Sequence, residues 1–311
     1  MRARIAAFYK FVTFTAAELP LWRTQLLELA ADQGVKGTVL LAEEGVNGTI
    51  AGPEQGVMAV LKHLRADPRL ADLEAKLSWS ERPSFHRLKV RLKPEIVILG
   101  RPEARPSEQV GTYVSPAAWY QLIHDPGTLV IDTRNAYEVA LGSFEGAMDP
   151  GLERFADFPR WVDTVLRPLV AERAPQALAL FCTGGIRCEK ATAHLLEQDF
   201  DGVHHLEGGI LRYLEQVPEP SSQWRGECFV FDQRVAVNHQ LEPGEHSLCH
   251  GCRMPLSPSD RDLASYVTGV SCRHCVAGLS PERRAQLMER QRQVELAERR
   301  GEVHIAQVFS S

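Results

Sequence analysis

The first third of the chain alternates between strand-like and helix-like spacing of its apolar residues. In order, the pattern predicts a strand (5–14), a helix (18–33), a hairpin (around Gly45-Val46-Asn47-Gly48), a helix (54–65) and strands between 77 and 99. Asn-Gly is a favoured two-residue hairpin turn, so the turn is expected at Asn47 and Gly48. This order of elements is that of the ferredoxin-like plan, and residues 1–105 are predicted to form a small split βαβ domain.

A different pattern begins near Gly111, where short apolar runs are separated by stretches with helical spacing. The apolar runs lie at 129–131, 177–181 and 203–206, and helical spacing follows over 186–198. This alternation predicts an α/β domain over 111–225 with a mainly parallel sheet. Because sites in such sheets form beyond the carboxyl ends of the strands, Asp132, Arg134 and Cys182 are expected to face one cleft.

The last part of the chain is predicted to be a cysteine-rich segment that ends in a charged helix. Arginines and glutamates nearly cancel in charge over 280–301, which favours a solvent-facing helix. Pro102 and Pro106 mark a linker ahead of the α/β domain. The expected domains are therefore 1–105, 111–225 and 226–311, all within an α/β fold class.

Composition and charge exclude several classes of protein. No window approaches eighteen uninterrupted apolar residues, and the first residues lack the cleavage site of a secretory signal, so neither a membrane span nor export is expected. With a net charge of -5 over 311 residues, a nucleic-acid surface has to be a local patch. Seven cysteines, four of them in two Cys-x-x-Cys pairs, suit metal and thiol chemistry in a reducing compartment. A cytoplasmic location is therefore expected.

A glycine loop between a predicted strand and a predicted helix carries the strongest chemical signal. Its sequence is Phe181-Cys182-Thr183-Gly184-Gly185-Ile186-Arg187-Cys188. Backbone N–H groups and the positive end of the helix dipole favour a thiolate at Cys182 or an anion bound above it. Gly184 and Gly185 allow the backbone to curl, and Arg187 adds a fixed positive charge. The alternative is that Cys182 is a small buried core residue, but the loop and the arginine favour a reactive cysteine.

Two Cys-x-x-Cys pairs in the last segment predict a metal site. Four thiolates at this spacing reach one zinc ion tetrahedrally and leave no open coordination position, so the zinc is expected to be structural. His250 or His274 is an alternative to one of the ligands, and four reduced thiols without metal are the other alternative. The expected ligands are Cys249, Cys252, Cys272 and Cys275.

A basic stripe lies near the end of the first domain. Four cations alternate with apolar residues, and a fifth precedes them, so one face of the predicted strand is able to neutralise phosphates along an RNA backbone. A charged face is also a common feature of a solvent-exposed sheet edge, and both interpretations stay open. The candidate RNA-binding residues are Arg82, Arg87, Lys89, Arg91 and Lys93.

The α/β domain resembles the rhodanese family in four segments that occur in the family's order. These are 132–134 with Glu138, 142–147, 182–187 and 206–209. The resemblance implies that Cys182 is the catalytic cysteine, able to carry a persulfide, and that the backbone of residues 183–187 cradles it. Four residues separate Cys182 from Arg187, whereas cysteine phosphatases have five, and this tighter ring favours sulfur. Cys188 departs from a plain rhodanese and either resolves an oxidised Cys182 or packs in the core.

Nearly the whole chain resembles the bacterial rhodanese-domain tRNA uridine hydroxylases. The resemblance rests on the split βαβ domain, the stretches 181–191 and 226–232, and the paired Cys-x-x-Cys tail. It implies oxygen-dependent formation of 5-hydroxyuridine at the wobble position, in the anticodon loop of tRNA. The resemblance thus implies molecular oxygen as co-substrate. No convincing dinucleotide loop is present, so no flavin or nicotinamide site is expected.

One chemical hypothesis is that the Cys182 thiolate adds to C6 of uracil, so that C5 gains carbanion character and attacks oxygen. In a rival version Cys182 is oxidised first, and Cys188 restores the thiol. Two other functions are considered. One is a sulfurtransferase that carries a persulfide on Cys182, and the other is a non-catalytic adaptor that binds RNA or protein, against which the intact loop argues.

Overall fold

A computed structural model describes residues 2–80, 85–232 and 234–300. The chain divides into two compact units, Met1–Cys228 with His239–Leu241 and Phe229–Asn238 with Glu242–Ser311. Among the described helices, none combines the length and apolar character that crossing a membrane requires. The domain limits expected at 105 and 225 stay a prediction.

The first part of the larger unit is a five-stranded sheet with two helices packed on one face. The strand order is β4-β1-β3-β2-β5; β5 runs parallel to β2 and the other neighbours are antiparallel. The predicted split βαβ plan is confirmed in β1 to β4, and β5 extends the sheet at one edge. The elements are β1 (Ala3–Phe11), α1 (Leu19–Asp32), β2 (Lys36–Ala42), β3 (Gly45–Gly52), α2 (Glu54–Arg65), β4 (Ala75–Ser80) and β5 (Leu88–Leu92).

The position predicted for the hairpin turn is wrong. Asn47 and Gly48 lie inside β3, and the turn is formed by Glu43 and Glu44. The Asn47 side chain donates a hydrogen bond to the carbonyl of Ile96 at 3.0 Å, and a side chain at Gly48 would meet the Phe8 ring. Packing between strands therefore fixes the register here and overrides the local preference of Asn-Gly for a turn.

Helix α2 shows how the first core forms. Val57, Val60, Leu61 and Leu64 recur at the spacing of one helix face and are almost fully buried against the sheet. Each buried side chain of this size contributes about 1.5–3 kcal/mol of hydrophobic stabilisation. The helices cover one face of the sheet, so the opposite face is left for other contacts.

The rest of the larger unit contains a four-stranded parallel sheet in the order β6-β10-β9-β7. The three predicted strands and the helix after the glycine loop are confirmed. The strands are β6 (Thr112–Val114), β7 (Thr128–Asp132), β8 (Gly142–Phe144), β9 (Ala177–Phe181), β10 (Val203–Leu206) and β11 (Trp224–Gly226). The helices are α3 (Pro116–His124), α4 (Ala136–Val139), α5 (Phe158–Trp161), α6 (Arg167–Arg173), α7 (Ile186–Glu197) and α8 (Gly209–Gln216), and π-helical Val162–Leu166 joins α5 to α6.

The smaller unit has little regular structure apart from its last helix. That helix buries Leu287 and Ala297, and Arg290 donates hydrogen bonds to the carbonyls of His250 (3.0 Å) and Gly269 (2.9 Å). The charged helix predicted near the end of the chain is confirmed. The remaining elements are β12 (Cys228–Phe229), β13 (Ala236–Val237), β14 (Ser247–Leu248), β15 (Pro255–Leu256), α9 (Pro258–Arg261) and α10 (Pro281–Arg299).

Candidate active site

Cys182 follows the last residue of β9 and is completely buried. The backbone N–H of Gly185 points back at its sulfur atom and donates a hydrogen bond of 3.1 Å. Gly185 has φ 106°, a conformation that favours glycine, and α7 begins at the next residue, Ile186. The glycine loop thus directs its backbone toward the sulfur, the arrangement predicted from the sequence.

The surroundings of Cys182 favour its thiolate. Burial raises the pKa of the thiol, but a hydrogen bond from the Cys188 side chain, the positive charge of Arg187 and the backbone N–H groups of Cys188 and Gly185 outweigh burial. Together they lower the pKa of Cys182 to about 5. The sulfur is therefore a thiolate at neutral pH, which is the reactive form of a cysteine.

Cys188 is a buried thiol in contact with the thiolate. Burial raises the pKa of Cys188 well above its usual value, and the negative charge of Cys182 raises it further. The Thr133 hydroxyl lies 3.6 Å from its sulfur. Cys188 is therefore protonated where Cys182 is ionised and donates to it, a role that the sequence analysis did not consider.

Arg187 is held by Glu138. Its two terminal nitrogen atoms donate to the two carboxylate oxygens at 2.6 and 2.8 Å, and one also donates to the Thr183 hydroxyl at 3.2 Å. The charge of Arg187 lowers the pKa of Glu138 against the opposing effect of burial. The arginine is thus a fixed part of the loop, and its charge is largely balanced by Glu138.

Asp132 and Arg134 brace the sheet. Both side chains are completely buried and form a bidentate pair, with nitrogen–oxygen distances of 2.9 and 2.6 Å. Arg134 also donates to the carbonyl of Gly142 at 2.6 Å, and the Ser143 hydroxyl donates to Asp132 at 2.9 Å. The pair joins the end of β7 to β8, and neither side chain has exposed surface.

The first turn of α8 supports the loop. The N–H of Ile210 donates to the carbonyl of Cys182 at 2.9 Å, and the N–H of Leu211 donates to that of Thr183 at 3.1 Å. A Cβ atom at Gly209 would lie 2.5 Å from the carbonyl oxygen of Cys182. Close backbone packing therefore requires a glycine at this position.

The sequence analysis missed the residues that the N-terminal sheet brings to the loop. The Tyr9 hydroxyl of β1 donates to Glu189 at 2.7 Å and lies 2.5 Å from where a Cβ of Gly185 would be. The Lys76 ammonium of β4 donates to the carbonyls of Gly184 (3.3 Å) and Gly208. Alternation along the strands puts Tyr9 and Lys76 on one sheet face, but nothing local shows what that face contacts.

Glu189 lies behind the loop on α7. Burial raises its pKa to about 7, hydrogen bonds from Tyr9 and Tyr113 oppose this increase, and the nearby Cys182 charge adds to it. A carboxyl group that titrates near neutral pH beside a thiolate is suited to proton transfer. The sequence signal, one acid inside a helix, was too weak to single it out.

The basic stripe lies on β5, at the edge of the first sheet. Arg87 and Arg91 are exposed, and Lys89 and Lys93 are partly exposed. The strand register places Arg91 on the sheet face that also carries Tyr9. The remaining candidate, Arg82, lies outside the described residues.

The four cysteines predicted as metal ligands come together in the smaller unit. Their sulfur atoms all lie within 4.8 Å of one another. Cys252 and Cys272 are 3.7 Å apart, and Cys272 and Cys275 are 3.9 Å apart. The two knuckles therefore form one cluster, and this cluster is built only from cysteines.

Comparison with known proteins finds two matching domain families and several relatives over nearly the whole chain. Residues 3–96 match the UPF0176 acylphosphatase like domain, and residues 115–216 match the Rhodanese-like domain. A tRNA uridine(34) hydroxylase of Parasynechococcus marenigrum (strain WH8102) is 56% identical, over 93% of this chain and 92% of that protein. One of Caulobacter vibrioides (strain NA1000 / CB15N) is 53% identical, over 92% of this chain and 91% of that protein.

Proposed function

The chain belongs to the tRNA uridine(34) hydroxylase family, and from this we propose that it hydroxylates C5 of the wobble uridine in the anticodon loop of tRNA. The names of the relatives agree with the predicted hydroxylase and not with the sulfurtransferase alternative. The proposed chemistry rests on one observation, that the loop around Cys182 stabilises its thiolate at neutral pH.

In the proposed reaction the thiolate of Cys182 forms a bond to C6 of uracil, and the electron pair moves toward C5. C5 then bonds to molecular oxygen and becomes a hydroperoxide after taking up a proton. A pair of thiols reduces the hydroperoxide to a hydroxyl group, releasing water and a disulfide. Loss of the C5 proton and of the Cys182 thiolate restores the double bond. In sum, uridine, oxygen and two thiols give 5-hydroxyuridine, water and a disulfide.

Access to the sulfur sets a condition on this reaction. Cys182 has no exposed surface, and the Tyr9 hydroxyl and the Lys76 ammonium lie over its loop. A uridine base therefore has to leave its stack and displace part of this cover to reach Cys182. Glu189, with a pKa of about 7, is placed to exchange the protons that the reaction takes up and releases.

We propose that the basic stripe contacts the phosphates on either side of the flipped uridine. Its cations follow one strand face, and the chain as a whole has a net charge of -5, so the stripe is a local patch suited to RNA. The proposed contacts are Arg82, Arg87, Lys89, Arg91 and Lys93.

The cysteine cluster fits a structural zinc ion. Four thiolates at Zn–S distances of about 2.3 Å in a tetrahedron lie about 3.8 Å apart, close to the 3.7 and 3.9 Å separations here. Bound zinc would cross-link the two knuckles. Its four ligands would be Cys249, Cys252, Cys272 and Cys275.

Since zinc thiolates and a reactive thiolate both need reducing conditions, we also propose a cytoplasmic location.

Nucleoside mass spectrometry on tRNA tests the function. Cells lacking the protein are complemented with the wild type, with Cys182→Ser or with Cys228→Ser, which replaces a buried cysteine outside the glycine loop. We expect cells lacking the protein to lose 5-hydroxyuridine-type nucleosides. The wild type and Cys228→Ser should restore these nucleosides, and Cys182→Ser should not. An unchanged nucleoside profile after deletion would refute the hydroxylase proposal, and sulfur-35 uptake at Cys182 would then favour sulfur transfer.

A further inference from the structure

Lys76 is a cation in an unusual setting. It projects from β4 of the N-terminal sheet, is partly buried, and its ammonium group donates hydrogen bonds to the carbonyls of Gly184 and Gly208. Both carbonyls belong to the segments that form the Cys182 loop and its support. Lys76 is therefore held against the loop that carries Cys182 by a sheet that does not supply the cysteine.

The other cations around the loop are each balanced by a carboxylate within ion-pair distance. For Lys76, no described carboxylate lies within such a distance, and its contacts are to backbone oxygens. Withdrawing an ammonium group from water without an anionic partner is energetically costly. The balanced pairs are Arg134–Asp132, Arg187–Glu138, Lys190–Glu44 and Arg212–Glu207.

We propose that Lys76 is a positioning residue whose ammonium group is the counter-charge of the Cys182 thiolate. The bidentate contact with Glu138 offsets much of the charge of Arg187, so a second cation beside the loop adds to the stabilisation of the thiolate. Lys76 is such a cation, and no described carboxylate pairs with it. The N-terminal sheet thereby completes the reactive centre. The proposal concerns how the sulfur is ionised, and it deepens the role given to Cys182 in the proposed function.

The charges around Lys76 agree with this assignment. Burial lowers the pKa of Lys76 to about 8, and the negative charge of Cys182 opposes this decrease most strongly. Repulsion from Arg212 adds to the decrease, and Cys228 and Glu215 oppose it more weakly. The groups that act on Cys182 itself include Arg187 and Cys188, and Tyr9 and Glu189 of the neighbouring elements also interact with it electrostatically. These groups are the same in the wild type and in a Lys76 variant, so a difference in the titration midpoint of Cys182 reports the change at Lys76.

The thiolate absorbance at 240 nm between pH 4 and pH 9 tests the proposal directly. Subtracting the spectrum of the matching Cys182→Ser protein removes the contribution of the other six cysteines. Lys76→Met is expected to raise the titration midpoint of Cys182 by about one pH unit, because it removes a nearby opposite charge. Lys76→Arg is expected to keep a low midpoint. Lys36→Met, an exposed lysine of β2, is the control and leaves the midpoint unchanged.

A purely structural role for Lys76 gives a different result. Lys76→Gln retains a donor for the two carbonyls but removes the charge, so the midpoint should rise in this variant as well. An unchanged midpoint in Lys76→Gln, or in Lys76→Met with a normal circular dichroism spectrum, would overturn the proposal. The measurement uses neither RNA nor turnover, so its failure is distinguishable from failure of the hydroxylase proposal.

Discussion

At the scale of single residues, the reactivity of Cys182 comes from its neighbours. The sequence pointed to Cys182, the glycines and Arg187 because they are contiguous, and the loop that they form is as expected. It did not predict that Arg187 is engaged by Glu138, nor the contacts of Tyr9 and Lys76, because these depend on tertiary packing between segments far apart in the chain. Local patterns therefore located the candidate nucleophile but only part of its surroundings.

The Glu138–Arg187 pair leads to a prediction about stability. Glu138→Gln leaves the buried guanidinium of Arg187 without its counter-charge, and the loss of one partner of a buried pair costs about 3–5 kcal/mol of unfolding free energy. The unbalanced Arg187 should also lower the pKa of Cys182, so the thiolate midpoint is not expected to rise. Urea denaturation and the titration at 240 nm measure the two effects.

A matched surface pair provides the control. Glu145 is exposed and lies 3.1 Å from Arg225, so Glu145→Gln is expected to change stability by less than about 1 kcal/mol. Equal losses of unfolding free energy in Glu138→Gln and Glu145→Gln would show that the buried pair stabilises the fold no more than the exposed pair does. A raised thiolate midpoint in Glu138→Gln would show that Glu138 acts on the sulfur by another route.

At the scale of elements, periodicity predicted the helices and strands better than local turn preference predicted the turns. Helix α2 and strands β7, β9 and β10 follow from their apolar spacing. The Asn47-Gly48 turn fails because these residues pair along β3 in register with β1 and β2. The register depends on both neighbouring strands, and a turn motif contains no information about them.

The start of α8 leads to a second prediction. Gly209 and Gly146 both have positive φ, 67° and 77°, but only Gly209 has backbone atoms against the place of a Cβ. Gly146→Ala is expected to cost about 1 kcal/mol, the strain of the left-handed conformation alone. Gly209→Ala is expected to cost more and to raise the thiolate midpoint of Cys182, because it displaces the loop.

Thermal melts and the 240 nm titration compare the two glycine variants. The displaced atoms in Gly209→Ala are the carbonyl of Cys182 and the N–H groups of Gly184 and Gly185, which form the cradle itself. Similar melting temperatures together with an unchanged midpoint would mean that the close packing under the loop does not control the sulfur.

At the scale of the whole molecule, the glycine loop of Cys182 and the cluster of four cysteines lie in different units of the chain. The loop of Cys182 belongs to the larger unit, and all four clustered cysteines belong to the smaller one. The sequence predicted that these four cysteines come together, because knuckle spacing is local. It could not predict that the N-terminal sheet supplies residues to the loop, because that depends on how two sheets pack within the larger unit.

The metal cluster leads to the last prediction. We expect about one zinc ion per chain by inductively coupled plasma mass spectrometry, since four thiolates hold one ion. Cys272→Ser should lose most of this zinc, whereas Cys228→Ser, another buried cysteine outside the cluster, should keep it. Structural zinc sites contribute apparent binding free energies of about 10–16 kcal/mol, so removal with a chelator should make residues 242–300 sensitive to protease. Zinc-free protein from zinc-replete cells, with the same protease resistance, would contradict a metal role for the cluster.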